Sequence, residues 1–395
     1  MPAQAVAAVL RFRFRLEHDW PMFRSRVFVA LTLAVPLWLT TPVQAEAGSI
    51  PGEVSGIIVP AGFHITRFSD NTPNARSLAL ADDGTVFVGT MTEGKVYALQ
   101  DKDGDGYAET VNTVLHGLNV PNGVAWYQGD LYVAEVHRII KLKDVARHLN
   151  GSATPEVVYS GFPSERHHGW KYLRIGPDRK LYAPVGAPCN ICIPSQPVFA
   201  SLTRMDLDGS HFEIYAQGLR NSVGFDWLPG SNVLYATDNG RDYLGDDAPT
   251  DELNRVSQTG QHFGYPWCHG GDVPDPEYGT QHACREFEAP AWKFPAHVAP
   301  LGIRFYQGKQ FPASYQGQLF VAQHGSWNRE QPQGYRVVLV RFQDGKPVSD
   351  EVFASGWLHA DGKAAGRPVD ILEMPDGALL VSDDLAGAVY RISYR

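Results

Sequence analysis

Charge is scarce in this chain. Charged residues make up 19%, with 34 Lys and Arg against 43 Asp and Glu, for a net charge of -9. This excludes a nucleic-acid backbone as partner, because phosphate contact needs a clustered positive surface. The 44% hydrophobic content is that of an ordinary soluble globular protein. No amphipathic helical pattern of any length follows the first 45 residues, while 39 Gly and 28 Pro supply many turns. An all-β fold is expected. Cysteine is limited to Cys189, Cys192, Cys268 and Cys284. "CNIC" runs into Ile193 rather than His, which excludes covalent haem attachment. Its flanks read as strands, against the βαβ setting of thioredoxin-like chemistry, and a zinc site would need two further ligands. An even count in an exported chain favours disulfides. Cys268 and Cys284 bracket a Gly-, Pro- and Asp-rich loop and are expected to staple it. Cys189 and Cys192 either pair locally, the favoured reading, or stay reduced.

Long apolar runs are equally rare. The stretch Val27 to Leu39 follows Arg24 and Arg26 and precedes Val43-Gln44-Ala45, a small-residue cleavage pattern. It reads as a secretory signal peptide, too short for a comfortable membrane span. The basic segment before Met22 leaves Met22 as a second possible start. Residues 1–45 are therefore expected to be an extension and signal, with an uncleaved anchor as the alternative. Residues 52–395 form the folded domain, periplasmic or secreted.

What the chain has in abundance is one hairpin. Copies begin at Ala81 (ADDGTVFVGT), Tyr127 (YQGDLYVAEV), Gly176 (GPDRKLYAPVG), Pro229 (PGSNVLYATDNG), Tyr315 (YQGQLFVAQHG) and Met374 (MPDGALLVSDD). Each is a turn tolerant of positive φ, then a short strand whose alternation suits half burial. Several continue into another strand, so a four-stranded unit fits the spacing. Six such antiparallel sheets arranged radially make a six-bladed β-propeller; a β-sandwich of repeated hairpins is the alternative. "GFHITRFSD" from Gly62 is expected to complete the last blade. The longest interval, Gly240 to Tyr315, carries an acidic loop and both staple cysteines, and such loops are where chemistry concentrates.

Several residues stand just ahead of a hairpin, a phase that converges on the axis of a propeller. His167 and His168 precede the third copy; on a strand, only one of the two can face a pocket, where it would act as a general base. Arg220 and Asn221 precede the fourth, Arg367 the sixth and Arg76 the first. Guanidinium forks bind carboxylates in a bidentate way, so three arginines at one phase in an acidic chain point to a small polyanion. The oxygen-rich stretch holding Asp238, Asn239, Asp242, Asp246, Asp247, Asp251 and Glu252 suits Ca²⁺. "DKDGDGYAET" from Asp101 begins like an EF-hand loop but has Asn112 at the twelfth position, so it reads equally as a solvated turn.

Taken together, "HHGWKYLRIGPDRKLYAPVGAPCNIC", "GLRNSVGFDWLPGSNVLYATDNG", "DELNRV" with "FGYPWC", "QHGSWNR" and "GRPVDILEMPDGALLVSDD" resemble the soluble pyrroloquinoline quinone (PQQ)-dependent sugar dehydrogenases, the glucose/sorbosone dehydrogenase family, and above all its sorbosone-dehydrogenase-like branch. The likeness runs from about Pro60 to Tyr394. It implies a propeller holding PQQ near the axis with calcium on the quinone. It implies His168 as the catalytic base, with Arg220 and Asn221 as cofactor contacts. Backbone carbonyls at Gly240 and Arg241, with Asn239 beside them, would hold the ion. Arg367, Arg76 and, more loosely, Arg329 would face the cofactor carboxylates. Trp170 and Lys171 stand where the family has a small residue and then arginine; Lys171 would keep the cofactor charge contact without the planar fork. The implied activity oxidises an aldose or sugar aldehyde to lactone or acid and passes electrons to an external cytochrome or quinone. A calcium-dependent lactonase and a non-catalytic sugar-binding propeller remain the alternatives.

Overall fold

A computed structural model describes residues 52–395 except residue 153. The signal-peptide reading of residues 1–45 lies outside them. Among the described residues, no helix is long and apolar enough to cross a membrane. Six mainly antiparallel sheets follow one another along the chain and form a six-bladed β-propeller. Blade 1 spans residues 75–115, blade 2 123–159, blade 3 174–217, blade 4 225–294 and blade 5 300–354; blade 6 combines 368–394 with Phe63–Ser69. Blade 3 adds a fifth, parallel strand, Gln261–His262. First strands of neighbouring blades pack on one another, which places them innermost.

The ring closes as expected. Phe63–Ser69 pairs antiparallel with Ala388–Tyr394, Phe63 opposite Tyr394. Both chain ends of the domain are thereby locked into one sheet, leaving no open edge between first and last blade.

Half-buried strands were expected, and this needs correction. The second strands Val86–Thr90, Leu181–Val185, Leu234–Asp238, Leu319–Gln323 and Leu379–Asp383 are buried along their whole length. Each blade is sandwiched between two others, so both faces are interior. Side chains alternate between two cores rather than between core and water. Leu234 and Ala236 join the core between blades 3 and 4, whereas Tyr235 between them joins that between blades 4 and 5.

Polar latches fix the inner strands. Asp226 on blade 4 accepts the Phe305 amide of blade 5 (2.9 Å), and Asp370 on blade 6 accepts the Leu78 amide of blade 1 (2.8 Å). The approach is close: a Cβ on Gly302 would lie 2.2 Å from Asp370 Oδ1, so only glycine fits.

Candidate active site

The starts of the inner strands and the loops before them surround a cavity of about 310 Å³. Its lining includes His168, Arg220, Asn221, Asn239, Gly240, Arg76 and Arg367, which the chain delivers from blades 1, 3, 4 and 6 and the turns before them. Two arginines are set by the same local device. The aspartate that ends the second strand of the blade accepts the amide of the arginine ahead of the first. Asp238 holds the Arg220 amide (2.8 Å) and the Asn221 amide (2.7 Å); Asp383 holds the Arg367 amide (2.8 Å). These are the aspartates of "YATD" and "LVSD".

His167 and His168 sit in a turn, not on a strand. His168 has φ 49° and is 8% exposed, while His167 is exposed, its ring 4.0 Å from that of His168. Gly186 makes room behind, since a Cβ there would lie 2.5 Å from His168 Cβ. His168 Nδ1 lies 2.9 Å from the Ala187 carbonyl oxygen. A carbonyl only accepts, so Nδ1 carries the proton and Nε2 keeps its lone pair. Burial, reinforced by Arg220 and His167, pushes the imidazole well below its ordinary range, so it is neutral at physiological pH.

Arg220 is heavily engaged. It donates to the carbonyls of Asn190 (2.9 Å), Asn239 (3.0 Å) and Gly240 (2.8 Å), to Asn190 Oδ1 (2.8 Å) and to Asp242 (3.3 Å). Asn190 sits inside the Cys189–Cys192 disulfide, and Tyr265 accepts the Cys192 amide (3.2 Å). The "CNIC" segment is thus a structural clamp on Arg220. The expected Cys268–Cys284 staple is also present.

Across the cavity, Arg76 donates to Asn122 (2.8 Å) and Asp384 (2.9 Å), and Arg367 to the carbonyls of His324 (3.0 Å) and Gly325 (2.5 Å). His324 Nε2 lies 2.9 Å from Asp384. Burial brings His324 down to about 4, keeping it neutral. Burial also opposes the Asp384 charge, but His324 and Arg76 outweigh it and hold the carboxyl low. The three arginines share the cavity with carboxylates, since Asp242, Asp251 and Asp384 line it too. Asp384 and His324 were missed as site residues, although His324 lay inside the quoted "QHGSWNR" and Asp384 ended the quoted "GRPVDILEMPDGALLVSDD".

Two further expectations are corrected by placement. Lys171 turns away from the cavity, 1% exposed, donating to the carbonyls of Val136 (2.5 Å) and Gly169 (3.0 Å) beneath the Phe162 ring. Burial without an acidic partner lowers it to about 7. Arg329 is held outside the lining by the Asp246 carbonyl and by Asp247 (3.1 Å). The guanidinium of Arg241 is drawn to buried Asp275 (2.5 Å); the expectation for Arg241 concerned its backbone carbonyl, which this contact leaves open. Trp170 does line the cavity, edge-on to His168 at 5.8 Å, and packs on Val223, Leu301 and Val369.

Three lining residues carry a buried polar atom with no hydrogen-bond partner among the described residues: Trp170 Nε1, Asn239 Oδ1 and Asn328 Oδ1. Asn239 Oδ1 is buried with no hydrogen-bond donor, and Asp251, Asp242 and the Gly240 carbonyl lie along the same wall. Hard oxygens with one orphaned acceptor fit a cation of the calcium type. The Asp101, Asp103, Asp105 and Glu109 oxygens also cluster, but on the surface, where they accept the loop's own amides from Gly104, Gly106, Asp105 and Lys102.

This arrangement, a propeller with an axial pocket, a neutral histidine and opposed arginines, has relatives. The TrAA12-like family model matches residues 198–395, and the chain belongs to that family. An uncharacterized protein of Borreliella burgdorferi is 33% identical over 378 residues, 92% of this chain and 96% of that one. The holo PQQ domain of pyranose dehydrogenase from Coprinopsis cinerea superposes with a TM-score of 0.74 at 21% identity, covering 85% of this chain and 97% of that one. A calcium structure of the Trichoderma reesei carbohydrate-active enzyme family AA12 gives 0.75 at 20% identity, covering 86% and 97%. At such identities these two likenesses establish the shared fold.

Proposed function

We propose that this protein is a PQQ- and calcium-dependent dehydrogenase. It would oxidise the hemiacetal carbon of a pyranose or aldose, or a sugar aldehyde of the sorbosone kind, to lactone or acid. The observation that carries this reading is His168, buried at the cavity wall with its tautomer fixed by Ala187 and its Nε2 free of protein partners among the described residues. The likeness to the holo PQQ domain of pyranose dehydrogenase supports the sugar and the cofactor; the sorbosone kind rests on the sequence resemblance.

The residues present fit the cofactor. Its three carboxylates and a divalent ion together bring about one net negative charge, while the three arginines and three aspartates of the lining balance, so the fit rests on unengaged guanidinium N–H groups and acceptor oxygens rather than on net charge. Arg76 and Arg367 would take carboxylates through N–H groups not engaged by Asn122, Asp384, His324 and Gly325. Asn239 Oδ1, the Gly240 carbonyl and Asp251 would hold the ion. When bound, the cofactor supplies the hydride-accepting chemistry. His168 Nε2 would remove the C1 hydroxyl proton, and its lowered basicity keeps it ready at neutral pH. Trp170 would give the wall beside His168 an apolar surface, packed on Val223, Leu301 and Val369. Electrons would leave to an external cytochrome or quinone, in a periplasmic or secreted setting.

The test is reconstitution. The protein is stripped with chelator, supplied with PQQ and Ca²⁺, and assayed by dye reduction on aldoses, sorbosone and simple aldehydes, beside His168→Ala. Oxidation that needs both additions and fails in the variant supports the reading. Absence of PQQ binding at micromolar cofactor, with hydrolysis of lactones, would replace it.

A further inference from the structure

Behind the His168 wall lies a lysine with no counter-ion. Lys171 is buried and forms no ion pair among the described residues. Its ammonium has only the carbonyls of Val136 (2.5 Å) and Gly169 (3.0 Å) and the Phe162 ring at 4.9 Å. A desolvated ammonium without a carboxylate costs stability, so packing alone favours an apolar side chain of that length. What lysine adds is N–H donors at two carbonyls. Gly169 follows His168 directly, and its carbonyl belongs to the peptide that leads into Trp170. It sits tightly: a Cβ there would lie 2.4 Å from the Glu165 carbonyl oxygen and 3.1 Å from Val136 Cγ1. Its amide closes the turn onto the Arg166 carbonyl (3.1 Å), and within that turn His168 has φ 49°. A left-handed residue other than glycine persists only where its surroundings hold it. Val136 is itself fixed, its amide donating to the Asn119 carbonyl (3.2 Å). On the other side the Lys171 carbonyl accepts Asn122 Nδ2 (2.8 Å), and Asn122 Oδ1 accepts Arg76 Nε (2.8 Å).

We propose that Lys171 is a positioning residue for His168: its side chain pins the Gly169 carbonyl to Val136 of blade 2, and so keeps the imidazole on the Ala187 carbonyl with Nε2 unprotonated. The catalytic meaning of that placement rests on the dehydrogenase reading above; the placement itself does not. Lys171 acts through the backbone. Freeing the Gly169 carbonyl lets the turn relax, the Nδ1–H bond to Ala187 is lost, and the ring takes up the Nε2–H tautomer that an unrestrained imidazole favours. An imidazole protonated at Nε2 has no lone pair there with which to accept a proton. Trp170 lies between the two anchored peptides with its ring edge-on to His168 at 5.8 Å, so the same anchor sets that contact.

The test reads the imidazole directly. The full chain without cofactor is labelled with ¹⁵N-histidine, and the His168 signals are assigned in the NMR spectrum by their loss in His168→Asn. In the unmodified chain the ring should show the Nδ1–H tautomer alone and titrate below the ordinary histidine range, since burial, Arg220 and His167 all oppose its charge. In Lys171→Met, nearly isosteric but without a donor, the Nε2–H form should appear and the titration should move up toward that range. Lys171→Gln, which keeps N–H donors without the charge, should show a smaller change of the same kind, and it is the variant read if Lys171→Met gives no cooperative melt. With the reconstituted enzyme, Lys171→Met should lower kcat on the order of tenfold to a hundredfold, with PQQ affinity and sugar KM within about twofold. Its kcat/KM should fall below about pH 6.5, where the unmodified enzyme stays flat. A folded variant whose His168 keeps the Nδ1–H tautomer overturns the positioning, and so does a loss confined to stability and PQQ affinity. Absence of PQQ-dependent oxidation, with the tautomer still moving in Lys171→Met, would sink the dehydrogenase reading and leave the positioning standing.

Discussion

The two arginine walls of the cavity hold the same residue type at the same place in the repeat, yet they differ in readiness. Arg220 is wrapped by the "CNIC" clamp and by the carbonyls of Asn239 and Gly240. Arg367 and Arg76 are anchored more lightly and keep N–H groups free of protein partners among the described residues. The difference comes from the loops. The insertion that follows Asp238 folds back over Arg220, whereas the short hairpin after Asp383 leaves Arg367 open. A repeat fixes where a side chain starts; the loop above it decides whether that side chain is wrapped by protein or left open to the cavity.

Removing the proposed base should produce the largest effect. His168→Asn is expected to lower kcat by about 10²–10⁴-fold with PQQ affinity retained. In the unmodified enzyme, kcat/KM should stay flat from about pH 8 to about pH 6, because the depressed basicity keeps His168 unprotonated there. A fall like that of an ordinary histidine would argue against it.

The walls themselves can be set against each other. Arg220→Met should cost about 3–5 kcal/mol in chemical denaturation, since it strands buried carbonyls and Asp242. Arg367→Met should cost less stability but raise the PQQ dissociation constant by about 10- to 100-fold, as for a lost charged hydrogen bond. Equal behaviour of the two variants would erase the distinction drawn here.

Lys171 offers a pH test behind the same wall. Its folded pKa of about 7 lies below the ordinary 10.5, so the unfolded chain binds more protons between those values. Stability should therefore rise with pH across that window, by up to about 1.4 kcal/mol per unit. Lys171→Met should flatten the rise; an unchanged slope would mean that the ammonium is not desolvated. The smallest effect expected is from Cys189→Ser with Cys192→Ser. Loosening Asn190 should lower the melting temperature slightly and shift Arg220→Met little further, because both changes disable one clamp.

Much of the ring was legible in advance. The hairpin turns at 81, 127, 176, 229, 315 and 374 all join the first and second strands of blades, and Gly62 onward does close the last one. Local turn chemistry and short apolar runs are written residue by residue. The two-faced burial of Leu234–Asp238 was misjudged because a run of apolar residues does not say how many sheets cover it.

The site was legible in phase but not in direction. Arg76, Arg220, Asn221, Asn239, Gly240, Arg367 and His168 do line one cavity. The side chains of Lys171 and Arg329 do not, since each met a nearer partner: carbonyls beneath Phe162, and the Asp246–Asp247 loop. Asp384 escaped because its partners Arg76 and His324 lie 308 and 60 residues away. What the sequence determined by itself was therefore the repeat, the closure and the phase of the polar residues, which depend on neighbours along the chain. The tertiary structure alone decided which charges meet, because a long side chain turns to the best partner within its reach, and that partner is supplied by another blade.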